Sequence, residues 1–364
     1  MCQLVQSVTA IVSAAWIAFA FAACSSAPLG PYTVDTRPLA SVKDKRARFR
    51  EIFCAVLETH GHPLPDYRPC EKALTRVGQE RKGKGKPVDL GVSHRHLVAG
   101  IVPGLGWECF ADWLHASNSA AAHVRQFGYD VKLFPVSGLS GTEVNARQIR
   151  DTILAMPLQV SERRLVLIGY SKGLPDIFQA VVNYPEIRGR IAAVVSAAGA
   201  VGGSPLANPA NQSQADLLRF FPGAKCQKGD EQAVNSLRPG VRRAWLAHNR
   251  LPHDFPYYSV VTYPDPARIS AVLRDNYNRI SKIDARNDSQ LIFYDEVIPR
   301  STLVAYVNCD HWALAVPVNR SHPVIGALFT TQNAYPREAL LEAVLRFVEE
   351  DLNTAEQPTT RGLP

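Results

Sequence analysis

The sequence lacks the patterns by which a chain of 364 residues would reveal a metal site. It contains 7 cysteines and 10 histidines, but no two cysteines have the C-x-x-C spacing that is repeated in many zinc sites. His94, His96 and His123 likewise show no ligand spacing. We therefore predict that the protein binds no metal.

A concentrated basic surface is also missing. The formal charge of +7 is spread along the chain, and its one local concentration, residues 81–86, lies in a loop interrupted by glycines. Without a basic helix or interleaved aromatic residues, these charges do not predict nucleic-acid binding. We expect a solvated connection there, and contact with anionic lipid headgroups is the alternative.

Charge is absent from residues 4–23, and small residues then precede Cys24. An apolar run followed by small residues is typical of an export signal, and the pattern resembles a bacterial lipoprotein lipobox. We therefore expect residues 1–24 to be a signal peptide, Cys24 to be lipidated and residues 25–42 to form a tether. The alternative is a retained membrane anchor, because about twenty apolar residues suffice to span a bilayer. Both alternatives place the body of the protein outside the cytoplasm, in the periplasm or cell envelope.

Export makes the cysteines beyond this segment candidates for disulfides. They are five, so at least one is free or paired outside the chain. Cys54, on a helix predicted for residues 46–59, and Cys70, after a proline-rich turn, are the most plausible pair. Only a short loop separates these two segments, which we expect to pack together. The pairing of the other three cysteines is left open.

Apolar runs alternate with helical segments along the rest of the chain. The runs typical of buried strands are residues 96–102, 130–136, 164–168, 191–197, 257–263 and 302–307. The segments with helical periodicity are residues 108–127, 143–155, 172–183, 266–283 and 336–352. This alternation predicts an α/β fold: a doubly wound, mostly parallel sheet with helices on both faces.

The alternation stops between residues 200 and 250, which are rich in Gly, Pro, Asn and Gln. An insertion of this length is more typical of a lid or cap than of a linker. We expect the main domain to span residues 93–352 with this lid. A helical segment and the basic loop, residues 43–92, precede it, and a disordered tail, residues 353–364, follows.

A serine comes directly after the strand at residues 164–168. Residues 169–173 read Gly-Tyr-Ser-Lys-Gly, a G-x-S-x-G pattern in which a sharp turn from strand to helix would expose Ser171. A serine hydroxyl is a poor nucleophile at neutral pH, so it needs a base and a group that orients the base. Ser171 is therefore the candidate nucleophile, and the alternative is a turn residue in an inactive protein.

This motif and the order of the elements around it resemble the α/β-hydrolase superfamily, specifically its bacterial serine esterase and lipase branches. The resemblance covers roughly residues 95–350. In that superfamily the nucleophile, the acid and the histidine follow one another in the chain. The resemblance implies that Ser171 is the nucleophile, Asp288 the acid and His311 the base, because His311 follows a late strand and precedes the final helix.

Each of the partner residues has an alternative. Asp288 lies in a turn, where an aspartate often caps its own backbone, and Asp284 or Asp310 could take its place. His311 could instead be a packed histidine beside Trp312.

Two backbone N–H groups are expected to bind the oxyanion that forms during acyl transfer. Lys172 opens the helix after Ser171 and supplies one of them. The loop at residues 102–106 resembles the His-Gly-x loop of the superfamily, with Pro103 in place of the histidine, and implies Leu105 as the second donor and Gly106 as the fallback. The Lys172 side chain, unfavourable in the first turn of a helix, is expected to face solvent. The alternative is that it meets an anionic headgroup or a carboxylate near the site.

Together these features predict a serine hydrolase that cleaves a carboxylic ester or thioester of a small molecule or lipid through an acyl-enzyme, without a cofactor. The alternatives are acyl transfer by the same residues, peptidase activity, and a non-catalytic envelope lipoprotein with the same fold. The lipid anchor would attach the protein to a membrane, and the oligomeric state is left open.

Overall fold

A single parallel sheet organises the computed structural model, which describes residues 28–111, 118–157, 164–220 and 224–356. Within these residues its seven strands are β1 (Lys43–Asp44), β2 (Val98–Val102), β3 (Asp130–Leu133), β4 (Leu165–Tyr170), β5 (Ile191–Ala197), β6 (Tyr257–Thr262) and β7 (Thr302–Val307). They follow the order β1-β7-β6-β5-β4-β2-β3 across the sheet, and every neighbouring pair is parallel. The predicted doubly wound α/β architecture is confirmed, and the described sheet is parallel throughout rather than mostly so.

The α-helices connect and cover these strands. Within the described residues they are α1 (Arg37–Ala40), α2 (Arg46–Val56), α3 (Cys70–Ala73), α4 (Asn118–Arg125), α5 (Thr142–Leu154), α6 (Gly173–Asn183), α7 (Gln212–Asp216), α8 (Pro239–His248), α9 (Arg274–Ile280), α10 (His311–Ala315), α11 (Val318–Ser321), α12 (Pro323–Phe329) and α13 (Arg337–Glu356). A π-helical turn, Leu57–Gly61, extends α2.

The central strands are largely apolar because both faces of the sheet are covered. In β4, Leu165 and Leu167 point into a cluster that includes side chains of α5 and α6. Val166 and Ile168 point the other way, into a cluster with side chains of α2 and α13. Successive side chains of a strand alternate between faces, so a strand buried on both faces needs the continuous apolar run seen in the sequence.

Most predicted elements are found within a few residues of their expected ends, and two differ for physical reasons. Strand β3 ends at Leu133 rather than at residue 136, before Pro135, which has no N–H for a ladder bond. The helix expected at residues 266–283 is interrupted, and only α9 is α-helical. Before it, the Ser270 N–H donates to Asp310 Oδ2 at 2.9 Å rather than to a carbonyl one turn back.

Two further predicted segments lie partly outside the described residues. Of the helix expected at residues 108–127, α4 is described and its apolar Val124 is buried, whereas the apolar positions Trp113 and Leu114 lie outside the described residues. Helix α13 continues to Glu356, into the segment expected as a tail, and the remainder of that segment lies outside the description.

Part of the segment expected as a tether packs against the domain. The side chains of Leu29, Tyr32, Leu39 and Val42 contact the cluster that includes residues of β6 and β7, whereas Val34 is exposed. The Tyr32 hydroxyl also donates a hydrogen bond to Asp295. These apolar residues are too far apart in sequence to show periodicity, so composition alone suggested a linker. Cys24 and the rest of the expected signal segment lie outside the described residues.

Two disulfides are present in the described residues. One joins Cys54 to Cys70, the pair favoured by the sequence, and links α2 to α3. The other joins Cys109 to Cys226 and fastens the inserted segment, residues 200–250, to the loop after β2. Cys309 is free and buried, and burial raises the pKa of its thiol well above the ordinary value. A buried thiol of this kind is unreactive.

Two features of the described residues concern the membrane and metal predictions. No helix in the described part of the chain is both long and apolar enough to cross a membrane. Within the same residues, one group of potential metal ligands comes together, Cys54, Cys70 and Glu71. Both of its sulfurs are engaged in the disulfide.

Candidate active site

Ser171 sits in a tight turn between β4 and α6. Its φ of +53° lies in the left-handed region, which is uncommon for a residue with a side chain. Neighbouring backbone holds it there: the Ser171 N–H donates to the Ala198 carbonyl at 3.1 Å, and the Ser171 carbonyl accepts from the Ala200 N–H at 2.9 Å. This is the strand-to-helix turn that aims a serine hydroxyl out of the carboxyl edge of a sheet.

The two glycines of the motif permit this turn because there is no space for a side chain at either position. A Cβ on Gly169 would lie 2.5 Å from the Cα of Leu174, where the strand meets the following helix. A Cβ on Gly173 would lie 2.0 Å from the Val102 carbonyl oxygen, at the end of β2. The G-x-S-x-G pattern therefore reflects close packing of β4, α6 and β2.

The loop after β2 lies directly against the serine. A Cβ on Gly104 would be 3.0 Å from Ser171 Cβ and 3.4 Å from Ser171 Oγ. Within the residues that the structure describes, the backbone N–H groups of Leu105 and Lys172 donate to no other protein group. The N–H of Gly106, the fallback donor, is engaged with the Gly138 carbonyl at 2.9 Å.

His311 and Asp288 are joined by two hydrogen bonds. His311 Nδ1 lies 2.6 Å from Asp288 Oδ2, and the His311 backbone N–H donates to the Asp288 carbonyl at 3.0 Å. His311 is the first residue of α10, directly after the β7 loop, and it is almost completely buried. The Tyr170 hydroxyl donates to the His311 carbonyl at 2.8 Å, which brings the histidine beside the residue that precedes Ser171.

The Asp288 carboxylate is fully buried and surrounded by donors. Its Oδ1 accepts from the N–H groups of Gln290 and Leu291, and its Oδ2 accepts from His311 and from the Thr262 hydroxyl at 2.6 Å. Burial alone raises the pKa of Asp288, but the neighbouring His311 and the donated hydrogen bonds outweigh burial and hold that pKa below its usual value. An ionised Asp288 requires the proton of His311 on Nδ1, so Nε2 is free to act as a base.

The alternative acids are engaged elsewhere. Asp284 forms a bidentate pair with Arg286, two residues along the chain. Asp310 caps α10 by accepting from the Ala313 N–H at 2.8 Å, and its other oxygen accepts from Ser270. Neither carboxylate forms a hydrogen bond with His311, whose side chain and backbone N–H both bind Asp288.

Trp312 packs against a small cluster formed by Ile269, Leu273 and Tyr277. The ring next to His311 is that of Tyr170, with centroids 5.1 Å apart.

The Lys172 side chain does not face solvent as expected, but meets a carboxylate near the site, which was the alternative. It is 1% exposed and turns inward, where Nζ lies 2.9 Å from both oxygens of Asp176. Asn145 donates to the same carboxylate at 2.7 Å. The aspartate one turn along the helix thus offsets the unfavourable position of a lysine in the first turn, and the i, i+4 spacing of the pair was the available sequence signal.

Two buried residues beside the acid carried no sequence signal. Thr262 ends β6, inside a run predicted only as a strand, and Glu296 ends the short 3₁₀ turn at Phe293–Glu296. Both contact one another and lie behind Asp288. No motif spacing connects them, because only the fold brings these loops together.

The chain is similar to solved structures of an esterase and a lipase. No family model and no curated protein match the chain. Among solved structures, it is similar to the metagenomic carboxyl esterase MGS0156, with 36% identity over 88% of this chain and 97% of that one, and a TM-score of 0.79. It is also similar to the propeptide form of Bacillus licheniformis lipase BlEst2, with 19% identity, 67% and 52% coverage and a TM-score of 0.51. The second likeness is one of fold alone.

The inward-facing pair of Lys172 and Asp176 predicts strong energetic coupling. Removing one partner leaves a buried charge uncompensated, so K172M and D176N should each lower the free energy of unfolding by about 3–5 kcal/mol. The double variant should lose less than the sum of the two. Urea denaturation followed by circular dichroism measures these losses.

The exposed pair of Lys228 and Glu231 is the matched control. There K228M should change stability by less than about 1 kcal/mol. Additive losses in the K172M/D176N double variant, or a loss no greater than that of K228M, would show that the buried pair is not coupled.

Proposed function

Because the chain belongs to the α/β-hydrolase superfamily and is an ester-cleaving serine hydrolase of the esterase and lipase kind, we propose that Ser171, His311 and Asp288 form its catalytic triad. The 2.6 Å contact between His311 and Asp288 is the observation that carries this proposal. Two further features support it: the strained turn at Ser171 and the Tyr170 contact that brings His311 to the end of β4.

In the first half of the reaction, His311 Nε2 takes the proton of Ser171 Oγ as that oxygen attacks the ester carbonyl. Negative charge then develops on the former carbonyl oxygen. The free N–H groups of Lys172 and Leu105 are proposed to bind this oxyanion, in a site already fixed before the substrate arrives. Lys172 contributes through its backbone, since its side chain is committed to Asp176.

In the second half, the tetrahedral intermediate collapses to an acyl-enzyme on Ser171. The leaving alcohol or thiol takes its proton from His311. A water molecule then attacks the acyl group, with His311 again as the base, and releases the carboxylic acid. Asp288 remains ionised throughout and stabilises the imidazolium that forms in both halves. This cycle uses no cofactor.

The proposed substrate is a carboxylic ester or thioester with an apolar acyl part. Leu105 is 36% exposed beside the proposed oxyanion site, and in the inserted segment Leu217 and Phe220 are more exposed still. Leu218 lies so close to Gly106 that a Cβ there would be 2.7 Å from Leu218 Cδ1. The inserted segment therefore adjoins the oxyanion loop, where it would select among substrates.

We further propose that the protein is exported and attached to a membrane through a lipidated Cys24. Two disulfides support the exported location, because disulfides persist in oxidising compartments and are rare in a reducing cytosol. The small residues before Cys24 support lipid attachment.

Loss of the serine hydroxyl should abolish catalysis. We expect S171A to lower kcat for a nitrophenyl ester by at least about 10⁴-fold and D288N to lower it by about 10⁴-fold, because neither variant keeps the nucleophile and the histidine tautomer together. S171A should also lose labelling by a fluorophosphonate probe. S213A, which removes an exposed hydroxyl on α7, is the control. Undiminished labelling of S171A would overturn the assignment.

The anchor proposal predicts acylation at one cysteine. When the full chain is expressed in a bacterium supplied with an alkyne-tagged fatty acid, the wild type should be labelled and sediment with membranes. C24S should lose the label, whereas C2S, the control at the other N-terminal cysteine, should keep it. A C24S protein labelled like the wild type, or a wild type that takes up no label, would contradict lipidation at Cys24.

A further inference from the structure

Behind the proposed triad acid, a single hydroxyl group lies between two buried carboxyl groups. Thr262 Oγ1 is 2.6 Å from Asp288 Oδ2 on one side. On the other side it is 2.7 and 2.8 Å from the two oxygens of Glu296. All three side chains are fully buried. A hydroxyl has one hydrogen, so it can donate to only one of its two acidic neighbours.

The donors around each carboxyl group decide the direction of that hydrogen. Asp288 accepts from three N–H groups as well as from Thr262 and is the carboxylate that must be ionised to hold His311. Glu296 accepts one backbone N–H, that of Thr262 at 2.7 Å. If the hydroxyl donates to Asp288, its oxygen can only accept from Glu296, and for that Glu296 must carry a proton.

The electrostatic surroundings of Glu296 also favour its protonated form. Burial raises the pKa of Glu296 well above its usual value, and the charge on Asp288 raises it further, whereas the hydrogen bonds from Thr262 lower it less. Asp295 and Tyr306 also interact electrostatically with Glu296, and neither supplies a positive charge. In the described residues Glu296 takes part in no ion pair. An ionised carboxylate buried without a cation is costly, so the group stays neutral.

We propose that Glu296 is a neutral positioning acid: its carboxylic O–H donates a hydrogen bond to Thr262 Oγ1, and the Thr262 hydroxyl donates in turn to Asp288 Oδ2. This rests on the proposed function of Asp288 and His311 as triad members. The chain runs from Glu296 through Thr262 and Asp288 to His311, and no proton is transferred along it. Its effect is to fix the orientation of Asp288 and to supply a donor that stabilises its charge.

A glutamine at position 296 reproduces the neutral acid closely. Its amide nitrogen can donate to Thr262 Oγ1, and its amide oxygen can accept the Thr262 N–H. E296Q should therefore keep kcat within about threefold of the wild type, with an unshifted acidic limb in the pH profile of kcat/KM. E296M, which has no donor, should lower kcat by about 10- to 100-fold with little change in KM, the usual scale for losing an outer orienting partner.

An ionised Glu296 would give the opposite result for E296Q. Its negative charge would favour the imidazolium of His311, so removing it would move the acidic limb of kcat/KM to lower pH. Such a shift, or a loss of kcat as large as that of E296M, would overturn the proposal. D295N is the matched control, because Asp295 is the adjacent buried carboxyl and contacts Tyr32 instead of Thr262. It should leave kcat unchanged.

The same series of hydrogen bonds can be interrupted at Thr262. This keeps the proposal testable if E296M fails to fold. T262S retains the hydroxyl and should behave like the wild type, whereas T262V has the same shape without the hydroxyl and should lower kcat to the level expected for E296M. Equal kcat values for T262S and T262V would overturn the proposal. Melting temperatures check that each variant is folded.

Failure of the triad itself would look different. Full ester hydrolysis by S171A would overturn the proposed function, whatever the result for the Glu296 variants. An inactive S171A combined with a shifted profile for E296Q would remove only the role of Glu296.

Discussion

The hydrogen bond between His311 Nδ1 and Asp288 Oδ2 is the interaction on which the arrangement of the candidate site depends. It joins the loop after β7 to a loop that precedes that strand, and the backbone bond from His311 to the Asp288 carbonyl ties the same two loops again. A carboxylate can stay ionised at full burial only if donors surround it. The two N–H groups beyond Asp288 and the Thr262 hydroxyl meet that need, so the loops around the acid are shaped by the charge they hold.

The serine side of the site is held by packing rather than by charge. The left-handed conformation of Ser171 is costly for a residue with a side chain, and the backbone bonds to Ala198 and Ala200, together with the close approach of Gly169 and Gly173 to their neighbours, maintain it. Directly beneath, the ion pair of Lys172 and Asp176 anchors the first turn of α6. The Cys109–Cys226 disulfide then secures the inserted segment beside the oxyanion loop.

Local sequence predicted the elements of the fold better than it predicted the residues that surround the site. The strands at residues 191–197 and 302–307 were predicted to their ends because each is a largely apolar run buried on both faces. The helix expected at residues 266–283 was wrong because a distant carboxylate, that of Asp310, takes the N–H of Ser270. The partnership of Thr262 with Glu296 was beyond prediction for the same reason, since it exists only once the loops meet. The inward turn of Lys172, by contrast, had a signal in its spacing to Asp176.

The proposed mechanism requires Ser171 to carry the acyl group during turnover. The most direct test is to quench the enzyme with acid during steady-state hydrolysis of a nitrophenyl ester and to map modified peptides by tandem mass spectrometry. We predict an acyl adduct on Ser171 that appears with a burst of nitrophenol equal to the enzyme concentration. Steady turnover without an adduct, or an adduct on another residue, would contradict the account.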